Sequence, residues 1–600
     1  VVVACPPSVV QQWADEMDQR FGLGFVIVDR AWFAEIRRER GWGANPWKTH
    51  SRFVISHALL RDETYAAPLR DQLGTFAPGT LLILDEAHNA APASGARYAV
   101  DSHLTRTVRD LAPRFEHKLF LSATPHNGHS NSFAALLEIL DPQRFCRGVP
   151  VRPELLADVM VRRLKADVRE LVPGEFAKRV IEPIVIDGLP ADAPELELSR
   201  LLQQLRELRL ERSASQSRQA AALLVLTSLQ KRLLSSIEAF HRTLDVHRRA
   251  IERRAKSAKP ERERELGDLS LLREGVGCDD ERADLPELEV ELEEQTQLEA
   301  ASAHASAELP SEAELALLDR MREIAGAHRH GPDARFEQLL AWIRAHQCPE
   351  LGQAGARWLP RRLLIFTEYT DTKRWLLEQL DTAINDPAVF SARVDSFHGG
   401  MGDDRREAIK RAFNAHPDEH PLRILVATDA AREGVNLQNH CADLLHFDVP
   451  WNPGRMEQRN GRIDRKLQRA ERVYCRYFVL PQRAEDKVLD TLVSKTHTIN
   501  EELGSLTPVI VERMAKVLQR GISHAESQAL REAIAAYTEL LRCPKAPPCL
   551  LPVRIGWRGQ HLAESDRSAE HQIQQPLQTA SKPDRLQQPE WDNKRPGPYH

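Results

Sequence analysis

The chain has 600 residues, more than one hydrophobic core organises, so we expect two to four domains. Its 42% hydrophobic and 28% charged residues are typical of a globular protein, and its net charge of −5 argues against a uniformly basic nucleic-acid-binding coat. No apolar run approaches the roughly 18 residues that a membrane span needs. Eight scattered cysteines without a CxxC pair predict a reducing, cytoplasmic location.

The chain opens on an apolar strand. Residues 1–4 predict a buried strand ending at two prolines, and residues 9–21 predict a helix. No signal-peptide pattern or initiator methionine precedes the strand, so we expect the chain to begin inside a domain. Further short strands are predicted at residues 25–28 and 53–56. Strands that alternate with helices indicate a parallel α/β sheet.

The next strand is followed at once by acidic residues. Residues 81–84 are all apolar, as in a strand covered on both faces, and Asp85 and Glu86 come directly after them. Ligands of parallel sheets bind beyond the carboxyl ends of the strands. Two carboxylates there can hold Mg²⁺ through its water shell and orient an attacking water. Taken alone, the pattern fits a strand ending in a solvated acidic turn equally well.

Another apolar strand, residues 118–121, continues into Ser122, Ala123 and Thr124. The sequence SATPHNG that begins there is also consistent with a bare turn, because His-Asn-Gly is turn chemistry. This segment is therefore a weak indicator of function when it is considered by itself.

Long polar helices with regularly spaced leucines are predicted between residues 190 and 330. Residues 200–265 hold 16 basic and 8 acidic residues, whereas residues 274–299 hold 11 acidic residues and one Arg. A basic arm that contacts phosphates beside an acidic gate that masks it is one interpretation. Solvated faces of a helical insertion are the commoner explanation of such charge runs, and we favour it.

A second α/β unit follows, as long as the first. Its strands are predicted at residues 363–366, 424–427 and 444–447. Beyond residue 543 Pro, Gln and scattered charges dominate, which predicts a disordered tail. The expected domains are a first lobe at 1–185, a helical insertion at 186–331, a second lobe at 332–482, C-terminal helices at 483–542 and the tail at 543–600.

Seven segments in order carry a resemblance to a known family: CPPSVVQQW, LDEAH, LSATPHNG, LLIFTEYTDT, FHGGM, ILVATDAAREGVNLQ and QRNGRIDR. Together they resemble superfamily-2 motor ATPases of the SNF2-like branch, over about residues 1–480. The resemblance implies two RecA-like parallel-sheet lobes with ATP and Mg²⁺ between them. Within the bacterial branch, which includes RNA-polymerase-associated remodellers, the sequence looks most like the SNF2-like helicase of DISARM phage-defence systems.

The resemblance assigns roles in the first lobe. Asp85 of the DEAH box would hold Mg²⁺, and Glu86 would position and deprotonate the attacking water. His88 would link the nucleotide by hydrogen bonds to the coupling loop of Ser122, Ala123 and Thr124.

In the second lobe, Arg462 and Arg465 lie three residues apart and are expected on one helix, where both can face the nucleotide and one or both would act as arginine fingers beside Gln458. Asp429 and Gly434 would couple the nucleotide cleft to the nucleic-acid surface. That surface would bind the phosphates of double-stranded DNA without reading sequence. Its expected contacts stand at loop tips: Pro7, Ser8, Thr367, His398, Gly399 and Thr428.

One departure from the family is large. No GxxxxGK[ST] loop, which would cradle the β- and γ-phosphates, occurs in the chain. We therefore expect a first lobe truncated at its N-terminus, and weak ATP binding without turnover by these residues alone. The expected function is an ATP-driven DNA translocase or remodeller in a defence complex, with other defence proteins as partners and no membrane contact. A polymerase-recycling remodeller and a non-catalytic DNA-binding or assembly subunit remain alternatives.

Overall fold

The computed structural model describes most of the chain up to residue 542. All of the described residues belong to the compact unit Val1–Val553, and the predicted tail at 543–600 lies outside them. Across these residues, no helix is both long and apolar enough to cross a membrane. The described ranges are 1–91, 102–122, 130–149, 151–161, 177–212, 216–256, 271–272, 285–305, 310–429, 436–465, 468–503, 518 and 520–542.

The first sheet has five parallel strands in the order β2-β3-β1-β4-β5. Alternate side chains of β1 enter two different apolar clusters, with Val2 and Ala4 on one face and Val3 and Cys5 on the other. Covering on both faces is why β1 reads as an unbroken apolar run. The strands are β1 (Val2–Cys5), β2 (Val26–Val28), β3 (Phe53–Ser56), β4 (Ala77–Leu84) and β5 (Phe115–Phe120).

Several helices around this sheet begin at side-chain caps, and the first ends at a left-handed glycine. Asp29, Asp62 and Ser102 each accept a backbone N–H of the helix that follows, and the first helix ends at Gly22 with φ of 63°. The helices are α1 (Val10–Phe21), α2 (Arg30–Arg40), α3 (His57–Leu60), α4 (Glu63–Leu73), α5 (His103–Leu111), α6 (Ser130–Leu140) and α7 (Pro153–Val159).

The second sheet has six parallel strands in the order β6-β11-β10-β7-β9-β8. Its central strand, β7, is buried along its whole length. The prediction of two parallel-sheet α/β lobes is thereby confirmed. The strands are β6 (Lys178–Val185), β7 (Leu363–Thr367), β8 (Val394–Phe397), β9 (Ile424–Thr428), β10 (Asp443–His446) and β11 (Arg472–Val479).

Strand β6 corrects one predicted boundary. Residues up to 185 were expected in the first lobe, but Lys178–Val185 pairs along its whole length with Arg472–Val479 of the second sheet. Its sequence KRVIEPIV mixes charged with apolar residues and contains Pro183, which suits the edge position it occupies. The prediction was wrong here because chain order does not reveal a pairing partner nearly 300 residues away.

Between β6 and β7 the chain forms the helical insertion, which has its own apolar core of leucines together with Phe240 and Met321. Its helices are α8 (Pro194–Arg212), α9 (Gln216–Ser235), α10 (Ile237–Lys256), α11 (Glu287–Ala305) and α12 (Glu312–His328). The second sheet and the C-terminal part carry α13 (Ala334–His346), α14 (Thr370–Ile384), α15 (Pro387–Arg393), α16 (Asp403–Asn414), α17 (Pro453–Asn460), α18 (Ala484–Leu503) and α19 (Ser527–Arg542).

Candidate functional site

Asp85 stands just beyond the carboxyl end of β4. Its backbone N–H donates to the carbonyl of Ala4 at 2.8 Å, which continues the pairing with β1. The indole Nε1 of Trp13, on α1, donates to Asp85 Oδ2 at 2.8 Å, and the N–H of Glu86 donates to Oδ1 at 3.0 Å. Burial raises the pKa of Asp85, and the Trp13 hydrogen bond opposes that rise. Trp13 thus fixes the carboxylate, a role that the sequence analysis missed.

Glu86 has a left-handed backbone, with φ of 46° and ψ of 48°. A residue other than glycine adopts this conformation at a cost on the order of 1–3 kcal/mol, and such strain is concentrated at functional sites. The turn brings Glu86 Oε2 within 3.2 Å of His88 Nδ1, and the same nitrogen lies 3.1 Å from Ser122 Oγ. The expected His88–Ser122 contact is therefore present, whereas its role in coupling stays a prediction.

The turn of Asp85 and Glu86 is called the acidic turn below. His57, at the start of α3, lies next to it and was not singled out from the sequence. It is buried, and its Nε2 has no hydrogen-bond partner in the described part of the chain. Burial lowers its pKa to about 4, with the neighbouring His88 contributing in the same direction and Glu86 opposing. His57 is thus a neutral polar group packed against the acidic turn. Ala123 and Thr124, the other two coupling residues, lie outside the described residues.

In the second sheet, an arginine that the sequence analysis passed over organises the strand ends. Arg459, on α17, is 2% exposed, and it donates from Nε and Nη2 to both carboxylate oxygens of Asp429, at 2.5 and 2.8 Å. Its Nη1 donates to the carbonyl of Asp448 at 2.8 Å. Burial alone lowers the pKa of Arg459, but the two carboxylates outweigh that effect and hold it above its ordinary value.

Asp448 extends this network to β7. Its Oδ2 accepts the hydroxyls of Thr367 and of Ser235 on α9, each at 2.5 Å, and its Oδ1 accepts the N–H of Glu368 at 2.9 Å. Thr367 and Thr428 are fully or almost fully buried, at 0% and 4% exposure. The expectation that these two threonines stand at accessible loop tips is wrong, because each is the last residue of a buried strand.

The predicted arginine fingers lie beyond a helix rather than on one. Helix α17 ends at Asn460, and the N–H of Arg462 donates to the carbonyl of Arg459 in the turn that follows. Arg462 is buried, and its carbonyl accepts the N–H of Leu437. Arg465 donates to the Gly461 carbonyl and to the Asn436 side chain. The expected shared helix face is therefore wrong, although both residues lie in one short turn.

Arg179, on β6, binds residues on either side of Arg462 and so holds the turn at residues 461–465, which we call the arginine turn. Arg179 donates from Nη1 to both oxygens of Glu457, at 2.8 and 2.7 Å, and from Nε to Asp464 Oδ2 at 2.9 Å. Asp464 is 3% exposed. Gln458 is exposed on α17, and Gly434 lies outside the described residues. Arg179 thus fixes both ends of the segment that carries Arg462.

The remaining predicted nucleic-acid contacts occupy two turns. Pro7 is exposed, and Ser8 follows it in the turn Pro7–Val9 ahead of α1. His398 Nδ1 lies 2.7 Å from the carbonyl of the buried Gly399 and 3.2 Å from Glu287 Oε1 of α11. The histidine-glycine turn is therefore in contact with a carboxylate of the helical insertion.

The acidic turn suits a magnesium ion that keeps part of its water shell, because Mg²⁺ in nucleotide sites takes one or two carboxylates and completes its coordination with waters and phosphates. Asp85 and Glu86 provide such oxygens. Within the described ranges no group of three or more His, Cys, Asp or Glu side chains could hold a metal by itself. A GxxxxGK[ST] phosphate cradle does not occur in the sequence. The two carboxylates of the acidic turn thus fit the metal.

Two parallel α/β units, one ending in adjacent carboxylates and the other in an arginine network, have the architecture of RecA-like helicase lobes. Comparison with known proteins agrees. Residues 357–466 match the helicase conserved C-terminal domain.

The uncharacterized ATP-dependent helicase YqhH of Bacillus subtilis is 21% identical over 532 residues, covering 85% of this chain and 72% of that protein. The RNA polymerase-associated protein RapA of Yersinia pestis is 25% identical over 483 residues, covering 78% of this chain and 42% of that protein. Among solved structures, the Hef helicase domain of Pyrococcus furiosus aligns over 81% of this chain and 87% of its own, with 15% identity and a TM-score of 0.41. The domain match and the two curated relatives support the resemblance to superfamily-2, SNF2-like helicases.

Proposed function

We propose that the chain is the motor part of an ATP-dependent translocase or remodeller that acts on double-stranded DNA. The observation that carries this proposal is the acidic turn, where Asp85 is held by Trp13 and Glu86 is held by His88 in a strained conformation. The match of residues 357–466 to a helicase C-terminal domain supports the same class of activity for the second unit.

Each side chain then has a role in hydrolysis. Asp85 holds Mg²⁺, which supplies charge neutralisation at the phosphates, and Glu86 orients the attacking water and accepts its proton. Arg462 and Arg465 provide positive charge where negative charge develops, an effect on the order of 10³–10⁵ in rate for an arginine finger. Arg459 sets their position through its contacts with Asp429 and Asp448.

The proposed substrate is the phosphate backbone of duplex DNA, since backbone contacts allow movement along DNA without sequence preference. The setting that the motifs favour is a bacterial anti-phage defence complex, with other defence proteins as partners in the cytoplasm. The relative named RNA polymerase-associated protein favours a second candidate, a remodeller that acts on polymerase. The chain spans 42% of that relative, so polymerase-binding parts of the relative can lie outside the aligned region.

We further propose that residues 1–600 on their own bind ATP weakly and do not turn it over, because their sequence contains no GxxxxGK[ST] phosphate cradle. The gene sequence on both sides distinguishes the motor from a non-catalytic assembly subunit. An upstream GKT or GKS supports the motor, and a degenerate loop supports the subunit. Neighbouring genes for a methyltransferase and a phospholipase-like protein would support the defence setting.

The direct test is DNA-stimulated ATP hydrolysis, measured with residues 1–600 and with the chain extended by any upstream residues that carry a GK[ST] loop. In the extended chain, Glu86→Gln is expected to abolish turnover while leaving duplex binding intact. The exposed Glu39 on α2 gives a matched control, Glu39→Gln, which should hydrolyse ATP like the unmodified chain. Full activity in Glu86→Gln would refute the role of Glu86 in activating the water. Strong turnover by residues 1–600 would refute the proposal that turnover needs a GK[ST] loop.

A further inference from the structure

The lobe built on the second sheet, strands β6–β11, is called the second unit here, and the lobe built on the first sheet is called the first unit. The acidic start of α11 lies against the histidine-glycine turn, His398–Gly400, of the second unit. Glu287 Oε1 accepts a hydrogen bond from Lys373 Nζ at 2.5 Å and lies 3.2 Å from His398 Nδ1. The backbone of Leu285 and Pro286 is packed so closely against Gly400 that a Cβ at that position would collide with it. A carboxylate therefore occupies the place where a nucleic-acid phosphate is expected.

Two further carboxylates of α11 continue this contact along the same surface. Glu291 pairs with Arg374, the residue after Lys373 on α14, and Glu294 pairs with the buried Arg232 on α9. Glu287, Glu291 and Glu294 are spaced by four and three residues, so they share one face of the helix. We call this face, from Glu287 to Glu294, the acidic mask.

Lys373 is unusual because its side chain is nearly buried, at 4% exposure, while the side chain of its hydrogen-bonded partner Glu287 is 25% exposed. Burial lowers the pKa of Lys373, and Glu287 opposes that change. A buried ammonium without an anion is costly, so removal of Glu287 favours a replacement anion at the same place. A phosphate oxygen is a strong acceptor of this kind.

The two halves of α11 are held differently. Leu298 and Ala301 in its second half are buried in the apolar core of the insertion, and Ala305 is buried against Ala221 and Ala222. No residue from 285 to 296 is buried, and Leu288 and Leu292 are 75% and 64% exposed. The first half is therefore attached mainly through ion pairs, which salt and competing anions weaken.

We propose that Lys373 and His398 form a binding site for a backbone phosphate of nucleic acid, and that the acidic mask occupies this site until nucleic acid displaces it. This inference rests on the proposed function, since it specifies where the DNA strand contacts the second unit. It adds an anion site on α14 and a competitor within the same chain. The apparent DNA affinity is then the intrinsic affinity multiplied by the fraction of molecules in which the acidic mask does not occupy the site.

The test compares two single substitutions on α11 that change the charge equally. Glu287→Gln removes the carboxylate that contacts Lys373, whereas Glu289→Gln changes an exposed residue of the same turn. Binding of a mixed-sequence 30-base-pair duplex to the full 600-residue chain is followed by fluorescence anisotropy at several salt concentrations. Glu287→Gln is expected to bind about 3–10 times more tightly than the unmodified chain, and Glu289→Gln within about twofold of it.

A second substitution identifies the phosphate site itself. Adding Lys373→Met to the Glu287→Gln chain should reverse the gain and lower the slope of log affinity against log salt by about 0.9, the value for one phosphate contact. Glu291→Gln provides an independent mask variant at a more exposed ion pair. Thermal unfolding of every variant confirms that the chain is folded.

The outcomes separate the two proposals. If the unmodified chain and Glu287→Gln bind DNA equally well, DNA binding stands and the mask is refuted. If the affinity gain survives Lys373→Met, the phosphate site is refuted. If no folded variant binds duplex DNA at any salt concentration, the proposed function is overturned, and the mask with it.

Discussion

The guanidinium of Arg459 holds both carboxylate oxygens of Asp429, at the carboxyl edge of the second sheet. Asp429 follows β9 directly, and the neighbouring Asp448 joins the same arginine to β7. One buried side chain thus connects three strand ends to the turn that carries Arg462. Such an arrangement fixes the position of the turn relative to the strand ends.

Arg459→Met is expected to destabilise the second unit by about 3–5 kcal/mol, because it leaves two buried carboxylates without their partner. Native-state hydrogen exchange of β7 and β9 measures the change. Arg411→Met, at a side chain that is 78% exposed, is the control and should stay within about 0.5 kcal/mol. Equal exchange in the two variants would contradict the role of Arg459.

Trp13→Phe is expected to destabilise the first unit by about 1–3 kcal/mol, because Asp85 loses the donor to its Oδ2 while staying partly buried. It should also raise the pKa of Asp85 further, since the Trp13 hydrogen bond now opposes the effect of burial. Hydrogen exchange of β1 and β4 reports the stability. Trp42→Phe, at an 84% exposed side chain, should have no comparable effect. Unchanged hydrogen exchange of β1 and β4 in Trp13→Phe would contradict this prediction.

The second unit is expected to lose stability as the pH falls below about 6.5. Burial, and then the charge of Arg459, lower the pKa of His446 to about 3. Between pH 6.5 and 3 the unfolded chain binds a proton at this residue and the folded chain does not, so acid favours unfolding by up to about 1.4 kcal/mol per pH unit.

His446→Gln should flatten this dependence by up to about 2 kcal/mol between pH 6.5 and 5. The measurement is urea unfolding of the second unit across that range, with His416→Gln at an exposed position as the control. The same slope in both variants would show that His446 is not the responsible group.

Arg179→Met is expected to free the arginine turn without unfolding the sheet core. It removes the partner of the buried Asp464 and of Glu457, so amides of residues 461–465 should exchange at least tenfold faster. Arg472→Met, at an exposed end of β11, is the matched control. Faster exchange throughout β7 and β9 would instead indicate general destabilisation.

Much of the fold follows from local patterns. Segments such as Leu363–Thr367 are continuous apolar runs, and such runs predict strands because burial on both faces demands them. Strand β6 escaped prediction because its sequence KRVIEPIV has neither a continuous apolar run nor a regular alternation of polar and apolar residues. The acidic turn could also be predicted from the sequence, since its carboxylates directly follow an apolar strand.

The contacts that hold the site could not be predicted. Trp13 and Asp85 are 72 residues apart, and nothing local marks Arg459 as the arginine of its segment that pairs with Asp429. The helix carrying Arg462 was predicted too long because its end depends on the turn that follows Asn460. Burial of Thr367 likewise depends on Asp448, which lies 81 residues further along the chain.

The pairing of β6 with β11 has a consequence for biogenesis. The Arg476–Glu182 contact spans 294 residues, so a ribosome that adds 5–20 residues per second exposes β6 about 15–60 s before its partner emerges. During that interval the backbone N–H and C=O groups of β6 have no partner strand, so β6 can pair with a wrong strand or bind a chaperone. Slowing elongation within the insertion should therefore lower the soluble yield of the chain, whereas co-expressed chaperones should restore it.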